Sequence, residues 1–227
     1  MRLNAFLARA GVASRRGADK LIKAGKVAVN GHPGQLNTEV SNNDSVAVDG
    51  KPVLKQKLRY ILLYKPDRVV TTLNDPQNRP KAIDLIDISE RVVPVGRLDF
   101  DTTGVLLVTN DGELTHKLMH PSFKVDKVYQ AEVEGRVTDE KIRKLEKGIQ
   151  LEDGKISPAK SRKLAENKIE LTIHEGRKHQ VKRMLAAVGL PVKKLHRSKY
   201  GPLDLTGLKP DQWRDLTATE IDRLKHL

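Results

Sequence analysis

The first quarter of the chain shows a helical and then an alternating pattern of apolar residues. Apolar positions recur at helical spacing over residues 3–10 and 18–22, and Ser14 is a favourable N-cap for the second stretch. Two alternating runs, Val27–Val29 and Val46–Val48, each end in a turn signal, Asn-Gly or Asp-Gly. The pattern predicts two short helices and a small β-ribbon, followed by a polar, basic linker.

The rest of the chain mixes strand and helix patterns without a regular strand–helix–strand alternation. Apolar or alternating runs predict strands beginning near residues 60, 92, 105, 127, 168 and 192. Amphipathic runs predict helices that begin after Thr138, before Val181 and at the capping box Thr217–Glu220. This order favours an α+β fold, in which a small module precedes a domain with a mixed, largely antiparallel sheet flanked by helices.

Charge favours a nucleic-acid partner. The 227 residues hold 42 Lys and Arg against 29 Asp and Glu, for a formal net charge of +13. Residues 1–60 alone hold 11 basic against 4 acidic residues, a net +7. A dense basic patch on a short folded segment is typical of binding to a phosphate backbone. The alternative is a solvated surface that aids solubility, a purpose that acidic residues serve better.

Several kinds of chemistry lose support. The chain has no cysteine, which removes disulfides, thiolate zinc sites and a Cys nucleophile. It contains neither a phosphate-binding P-loop nor a dinucleotide-binding glycine motif. His174 and His179 are one residue too far apart for a zinc-binding helix. No apolar run approaches a bilayer span and no secretory signal is seen, so we expect a cytoplasmic protein. Because the metal and nucleotide motifs are missing, we also expect no metal and no cofactor.

The most informative segment is a polar loop, 96–104, bounded by glycines between two apolar strands. It holds Arg97, Asp99 and Asp101 beside two threonines. Loops that carry ionisable groups on a rigid sheet often hold catalytic residues. In the alternative interpretation, the Asp and Thr side chains bond their own backbone in an ordinary turn. Both interpretations stay open on the loop alone.

Taken with its flanks, this loop resembles the signature of the RNA pseudouridine synthases of the RsuA/RluB type. The matching segment reads Gly96-Arg-Leu-Asp-x-x-Thr-x-Gly-x-Leu-Leu-x-Thr-Asn-Asp-Gly112. Further stretches agree in order: Tyr60 to Pro66, Lys127-x-Tyr129, Glu175 to Met184, and Leu195-x-Arg197-x-x-x-Gly201. Residues 1–58 resemble the S-four-like RNA-binding module that precedes the catalytic domain in this family. The resemblance implies an RNA-binding domain over 1–58 and a catalytic domain over 59–227.

The resemblance implies that a specific uridine in ribosomal RNA is isomerised to pseudouridine without a cofactor. We expect the protein to be a monomer. The segments 75–80 and 116–121 look like the large-subunit subtype of the family. His179-Gln180 looks like the small-subunit subtype. We therefore expect large-subunit rRNA as the substrate, with small-subunit rRNA as the alternative.

The match also implies roles for individual residues. Asp99 is the catalytic carboxylate, Tyr129 stacks on the flipped base, and Lys182 is the cation that keeps Asp99 ionised. Contacts with the RNA or the base are expected for Arg97, Leu195, Arg177, Arg183, Arg197, Arg15 and Arg16. Arg97 fills the gap left by the flipped nucleotide, and Leu195 touches the base. Phosphates are bound by Arg177, Arg183 and Arg197. Arg15 and Arg16 lie in the N-terminal module.

Two other functions remain to be weighed. One is an RNA-binding ribosome assembly factor with an inert catalytic domain, although such a domain has no need of Asp99, Tyr129 and Lys182 together. The other is a metal-dependent nuclease that would use Asp99, Asp101 and Asp111. Arg97 would compete with a metal at that site, and we expect the last two carboxylates to be turn formers.

Overall fold

The computed structural model describes residues 1–41 and 43–227, which form two compact units. The first unit contains Met1–Arg59 together with Ile88–Val93 and Thr109–Glu113. The second unit contains Tyr60–Asp87, Pro94–Val108 and Leu114–Leu227. Each unit has its own set of paired strands and packed helices, and each is described separately below.

The N-terminal unit is built from two helices and a small antiparallel sheet. Its elements are α1 (Leu3–Arg9), α2 (Arg15–Lys23), β1 (Val27–Val29), β2 (His32–Pro33), β3 (Val46–Val48) and β4 (Lys51–Pro52). The strands lie in the order β2-β1-β3-β4 and pair antiparallel. The Ser14 hydroxyl accepts a hydrogen bond of 3.0 Å from the Gly17 amide, which confirms the predicted N-cap of α2.

Apolar residues at the predicted helical positions form the core of this unit. Leu3, Leu7 and Ala18 are fully buried and pack with Ile22 and Val27. Burying side chains of this size stabilises the unit by roughly 1.5–3 kcal/mol for each large one. Most basic residues of the two helices are exposed, so the charge remains available at the surface.

The chain after residue 59 supplies the larger sheet and a separate two-stranded hairpin. Its strands are β5 (Tyr60–Lys65), β6 (Val93–Pro94), β7 (Thr102–Thr109), β8 (Lys127–Val133), β9 (Gln150–Leu151), β10 (Gly154–Lys155), β11 (Lys160–Ala165), β12 (Lys168–Ile173), β13 (Val192–Tyr200), β14 (Leu203–Asp204) and β15 (Trp213–Asp215). Its α-helices are α3 (Gly112–Met119), α4 (Asp139–Glu146), α5 (Gln180–Ala187) and α6 (Ala218–Lys225). Within the residues that the structure describes, no helix has the length and apolar character needed to cross a membrane.

The main sheet is mixed and largely antiparallel, as predicted. The strand order is β11-β12-β8-β13-β7-β5-β15, with β14 paired to β13 and β6 to β7. The run from β11 to β13 is antiparallel, whereas β13 and β7 pair parallel through Leu195 opposite Thr102 and Arg197 opposite Gly104. β9 and β10 form a separate hairpin. The predicted α+β class is therefore confirmed.

Gly104 allows the parallel strands to approach at the point where the site is built. Its φ is +119°, and a Cβ at this position would collide with the carbonyl oxygen of Arg197. Any side chain here would push β13 away from β7. The glycine thus keeps Thr102 and Arg197 on neighbouring strands.

Candidate active site

A cavity of about 990 Å³ in the second unit collects most of the predicted site residues. Its lining includes Asp99, Tyr129, Arg97, Leu195, Arg177 and Arg197. The volume is at the upper end of what small-molecule sites usually have. Lys182 reaches Asp99 from α5, whereas Arg183 does not line the cavity, and Arg15 and Arg16 belong to the first unit.

Asp99 is a reachable carboxylate with cationic neighbours. It lies in the loop before β7, and its side chain is 31% exposed. His179 Nε2 lies 3.6 Å from one carboxylate oxygen, and Lys182 Nζ lies 4.0 Å from the other. The predicted Asp99–Lys182 pairing is therefore a contact at the limit of an ion pair. His179 lies in a motif that matches the family, but the sequence did not indicate that it would lie beside Asp99.

Lys182 makes its shorter contact with Asp101. The Lys182 Nζ lies 2.5 Å from Asp101 Oδ1, so this lysine is shared by two carboxylates. Partial burial alone would raise the pKa of Asp101, but the hydrogen bond and charge of Lys182 outweigh it and hold the pKa below its ordinary value. Asp101, predicted to be only a turn former, therefore also orients Lys182 beside Asp99.

A buried lysine holds the loop that carries Asp99. Lys65, at the end of β5, is 0% exposed and donates hydrogen bonds to the carbonyl oxygens of Pro66 at 2.9 Å, Thr102 at 2.8 Å and Phe100 at 3.4 Å. Burial lowers its pKa to about 8, because the charged form loses its hydration. Sequence reasoning noted the Lys-Pro pair as part of a motif but assigned it no role. The carbonyl contacts show that Lys65 positions the loop.

The same loop is held from the segment after β5. The Thr71 hydroxyl donates to the Leu98 carbonyl at 3.0 Å and accepts from the Leu98 amide at 3.3 Å. Arg79 lies over the Phe100 ring, with its guanidinium carbon 5.8 Å from the ring centroid. Asp75 fixes Arg79 through two hydrogen bonds, of 2.7 and 3.1 Å, to its side chain. Residues on both sides of Asp99 are thus anchored by other parts of the unit.

The Asp75–Arg79 pair gives a pH-dependent prediction. The hydrogen bonds and charge of Arg79 lower the pKa of Asp75 to about 2 from an ordinary value of 3.8. A carboxyl with a lowered pKa contributes stability that is fully present above its ordinary value and is lost as the pH falls toward about 2. We expect Asp75→Asn to unfold at a lower temperature than wild type at pH 7, and the difference to vanish near pH 2 in thermal unfolding scans. Asp87→Asn, at an exposed position, is the control. A difference that stays constant with pH would show that the charge of Asp75 is not what matters.

Tyr129 and Leu195 lie on adjacent strands, and both line the cavity. Tyr129, on β8, is 8% exposed, and its hydroxyl lies 3.5 Å from Nη1 of Arg197. Leu195, on β13, is also buried. Their positions leave room for the base contacts that the family resemblance implies, and those roles stay predictions.

Arg97 is exposed at the cavity and is not held by other groups. Within residues 1–41 and 43–227, its side chain makes no hydrogen bond or ion pair. Asp101, a carboxylate of the same loop, pairs with Lys182 instead. The guanidinium of Arg97 remains available for the role predicted at the gap of a flipped nucleotide.

The burial of Arg197 argues against the phosphate role predicted for it. The side chain is 2% exposed, and its Nε donates to the Val105 carbonyl at 2.8 Å. Its guanidinium carbon lies 5.1 Å from the centroid of the Tyr200 ring. Strand alternation places this residue on the cavity side of β13. A backbone phosphate of RNA is bulky and hydrated, so a guanidinium buried this deeply is not in a position to bind one.

Arg177 and Arg183, which are predicted to bind phosphates, also contact groups of the protein. Arg177 donates to the carbonyl oxygens of Asp153 at 2.9 Å and Lys155 at 2.8 Å. Arg183 donates to the Asp153 carboxylate at 2.8 Å, and this hydrogen bond raises its pKa. Both arginines therefore hold the β9–β10 hairpin, which the sequence pattern did not predict. Each side chain is still 32% exposed, and the phosphate roles stay predictions.

Carboxylates do not converge as a metal site requires. Among the described residues, no group of three or more His, Cys, Asp or Glu side chains is arranged to hold a metal ion. Asp111 accepts a hydrogen bond of 3.1 Å from the Glu113 amide at the start of α3, as expected of a turn former. The arrangement needed for the nuclease alternative is thus not found.

The loop before β7 thus brings the partly exposed carboxylate of Asp99 to a large cavity, and Lys182 on α5 lies at the limit of an ion pair with it. Residues 59–187 match the family model described as RNA pseudouridylate synthase, and residues 1–46 match that of the S4 domain. The chain belongs to the RNA pseudouridylate synthase family, and it is a pseudouridine synthase, an isomerase.

Individual relatives agree over the whole length. The ribosomal large subunit pseudouridine synthase B of Bacillus subtilis is 47% identical, covering 100% of this chain and 96% of its own. An uncharacterized RNA pseudouridine synthase of Aquifex aeolicus is 48% identical, covering 99% and 93%. The crystal structure of a pseudouridylate synthase matches with a TM-score of 0.74 at 32% identity, covering 99% of each chain. Fold and sequence therefore point to the same family.

Proposed function

We propose that the protein converts a specific uridine of ribosomal RNA, with large-subunit rRNA favoured, to pseudouridine. The single observation that carries the proposal is the geometry around Asp99: a reachable carboxylate within 4.0 Å of Lys182 Nζ, beside a cavity of about 990 Å³. The choice of the large subunit is supported by the name of the Bacillus subtilis relative, which is 47% identical over the whole chain.

The reaction needs no oxidant, reductant or water. The bond between ribose C1′ and uracil N1 breaks, the base turns, and a bond between C1′ and C5 forms. C5 loses its proton and N1 gains one, so atoms and electrons balance. A stacked and paired base cannot turn to exchange N1 for C5, and the nucleotide must therefore leave its stack, which costs a few kcal/mol.

Each side chain around the cavity has a task in this proposal. The ionised Asp99 acts on the flipped nucleotide, and Lys182 stabilises its charge. Tyr129 stacks on the base and replaces part of the stacking that the base has lost. Leu195 covers the base from the neighbouring strand, and Arg97 enters the gap that the nucleotide leaves in the RNA.

We further propose a division at residue 58, with 1–58 binding structured rRNA and 59–227 performing the reaction. The family model begins at residue 59, which supports this boundary, and the first compact unit includes Met1–Arg59. A cytoplasmic location is proposed because an rRNA substrate is found there. The expectation of a monomer stays a prediction.

The N-terminal unit yields a prediction about salt dependence. Arg15 and Arg16 are exposed on α2, and neither makes an ion pair with another residue in the described part of the chain. We expect Arg15→Gln with Arg16→Gln to weaken rRNA binding and to reduce the slope of log affinity against log salt by about 2, because each phosphate contact releases about one counterion. Filter binding over a salt series measures this. Arg15→Lys with Arg16→Lys keeps the charge and should keep the slope. An unchanged slope in the Gln variant would remove the N-terminal unit from the RNA interface.

One experiment separates the three candidate functions. The protein is incubated in EDTA with unmodified transcripts of both rRNAs, and pseudouridine is then mapped by carbodiimide modification and primer extension. A new stop in large-subunit rRNA is the expected result. A stop confined to small-subunit rRNA would overturn the substrate assignment. Binding without any modified site would favour the assembly factor, and strand scission that requires added metal would favour the nuclease.

A further inference from the structure

The cavity contains a buried positive charge without a counter-charge. Arg197 lines the cavity and is 2% exposed. Its Nε donates to Val105 and its Nη1 lies 3.5 Å from the Tyr129 hydroxyl, but its buried Nη2 has no hydrogen-bond partner among the residues described. No carboxylate of the described residues lies within ion-pair distance of this guanidinium. A buried charge left unpaired is costly, and this cost is a physical reason to expect that a ligand group binds there.

A second unpartnered polar atom belongs to the neighbouring strand β7. Thr102 lines the same cavity and is 1% exposed, and its buried hydroxyl oxygen has no partner in the described part of the chain. Thr102 pairs with Leu195 across the parallel strands, so Arg197 lies two residues further along β13 and on the same face of the sheet. The two atoms therefore offer hydrogen bonds to one ligand.

A second cation makes this end of the cavity strongly positive. Lys127 also lines it, and its Nζ donates to the carbonyl oxygens of Val125 at 3.1 Å and His174 at 2.9 Å. Lys127 Nζ and the Arg197 guanidinium lie 5.8 and 5.1 Å from the centroid of the same ring, that of Tyr200. Burial, with help from the charge of Arg197, lowers the pKa of Lys127 to about 8. Two cations in this arrangement favour an oxygen atom that carries or gains negative charge.

We propose that Arg197 and Thr102 form the binding subsite for the uracil base itself, with Nη2 of Arg197 donating to a carbonyl oxygen of the flipped uracil. The Thr102 hydroxyl bonds to the adjacent edge of the base. This inference rests on the proposed function. It replaces the phosphate contact predicted for Arg197 with a contact to the reacting base.

The chemistry of the reaction requires such a donor. If Asp99 acts at C1′, the departing uracil keeps the electron pair of the N1–C1′ bond, and the negative charge spreads over its two carbonyl oxygens. If Asp99 instead attacks the base, the electron pair is again pushed onto a carbonyl oxygen. In both cases the bond to the Asp99 oxygen breaks by the time the C5–C1′ bond is complete, so the carboxylate is restored. C5 loses its proton and N1 gains one, and the base ends neutral. A preorganised guanidinium stabilises the charged stage in either case.

The same contact would select uracil over cytosine. Cytosine carries an amino group where uracil has its C4 carbonyl oxygen, so a donor of Arg197 directed at that position would face another donor. A site built around a hydrogen bond discriminates strongly against a base that leaves its buried group unpaired. The subsite therefore accounts for both rate and base choice.

The test compares isosteric or nearly isosteric variants with controls on the opposite face of the sheet or at an exposed position. The variants are Arg197→Met and Thr102→Val, and the controls are Arg162→Met and Thr172→Val, which do not line the cavity. Unmodified transcripts of both rRNAs, labelled with tritium at C5 of uridine, are the substrates, since the isomerisation releases that hydrogen to water. Single-turnover release, rRNA affinity and thermal unfolding are measured for each protein.

We expect Arg197→Met to slow tritium release about 100-fold and Thr102→Val about 10-fold, with rRNA affinity within a few fold of wild type. The Arg197 variant should unfold at the same or a higher temperature, because an unpaired buried charge has been removed. The controls should keep the wild-type rate.

Other outcomes overturn the subsite. A loss of affinity that matches the loss of rate would assign Arg197 to RNA backbone binding, and a lower unfolding temperature together with a wild-type rate in Thr102→Val would assign it to structure. Wild-type protein that releases no tritium from either rRNA would overturn the proposed function, and the subsite with it. Wild-type release combined with undiminished release by both variants would overturn the subsite alone.

Discussion

We expect Asp99→Asn to abolish pseudouridine formation, while rRNA affinity stays within a few fold of wild type. Asparagine has the same shape but lacks the negative oxygen that acts on the nucleotide, so the rate should fall by at least about 10⁴-fold. The Asp99 side chain is 31% exposed and has the polar side chains of His179 and Lys182 as neighbours, so the fold should persist. Carbodiimide mapping of the product and filter binding of the rRNA measure the two quantities.

Thermal unfolding is the control for this result. An unfolding temperature close to that of wild type shows that the lost activity reflects lost chemistry. The idea fails if Asp99→Asn still forms pseudouridine at an appreciable rate. It also fails if the variant loses affinity and stability together, because Asp99 would then be structural.

Lys182→Met should reduce the single-turnover rate about 10³-fold, the second largest effect, because an electrostatic partner of the reacting group is removed. Lys182 Nζ lies 2.5 Å from Asp101 and 4.0 Å from Asp99, so it is a cation shared by both carboxylates. Without Lys182 the two negative charges repel each other. Asp101 also loses the hydrogen bond and the charge that lower its pKa. Methionine keeps the length of the stem, so its packing on α5 should remain.

Asp101→Asn is the matched control for the lysine. It removes the shorter contact of Lys182 but leaves the cation free to move toward Asp99, so we expect the rate to fall by no more than about tenfold. Tritium release under single-turnover conditions compares the two variants directly. If Asp101→Asn is as slow as Lys182→Met, the Lys182–Asp101 pair is what the reaction needs, and the shared-cation interpretation is wrong.

Local patterns predicted the elements whose burial follows a simple period. Helix α2 begins after Ser14 as expected, and β12 alternates with Ile169, Leu171 and Ile173 inward. The pattern failed for β11 (Lys160–Ala165), which is polar and mostly exposed at the sheet edge. An edge strand with no apolar face carries no period-2 signal, so its pairing with β12 depends on the neighbouring strand.

Backbone partners across the fold escaped prediction for a related reason. Lys65 and Thr71 were not recognised as the groups that hold the Asp99 loop, although the Lys-Pro pair was visible as a motif. Their acceptors lie on residues 98–102, and they are main-chain carbonyls that every residue has. A sequence does not mark which carbonyl a distant lysine will reach.

The amino-acid sequence was enough to identify the Gly-bounded loop, the kinds of side chain around it and the family of the chain. Motif spacing and side-chain chemistry are local properties, so they can be seen without the fold. Which charges meet depended on how strands distant in sequence are brought together. Arg197 was assigned to phosphate as an arginine in a basic motif, yet the parallel pairing of β13 with β7 buries it in the cavity. Arg177 and Arg183 became anchors of a hairpin, and Lys182 acquired two carboxylates, through contacts that join residues tens of positions apart. Burial and pairing of a charge are properties of its three-dimensional neighbours, and those arise only when the chain has folded.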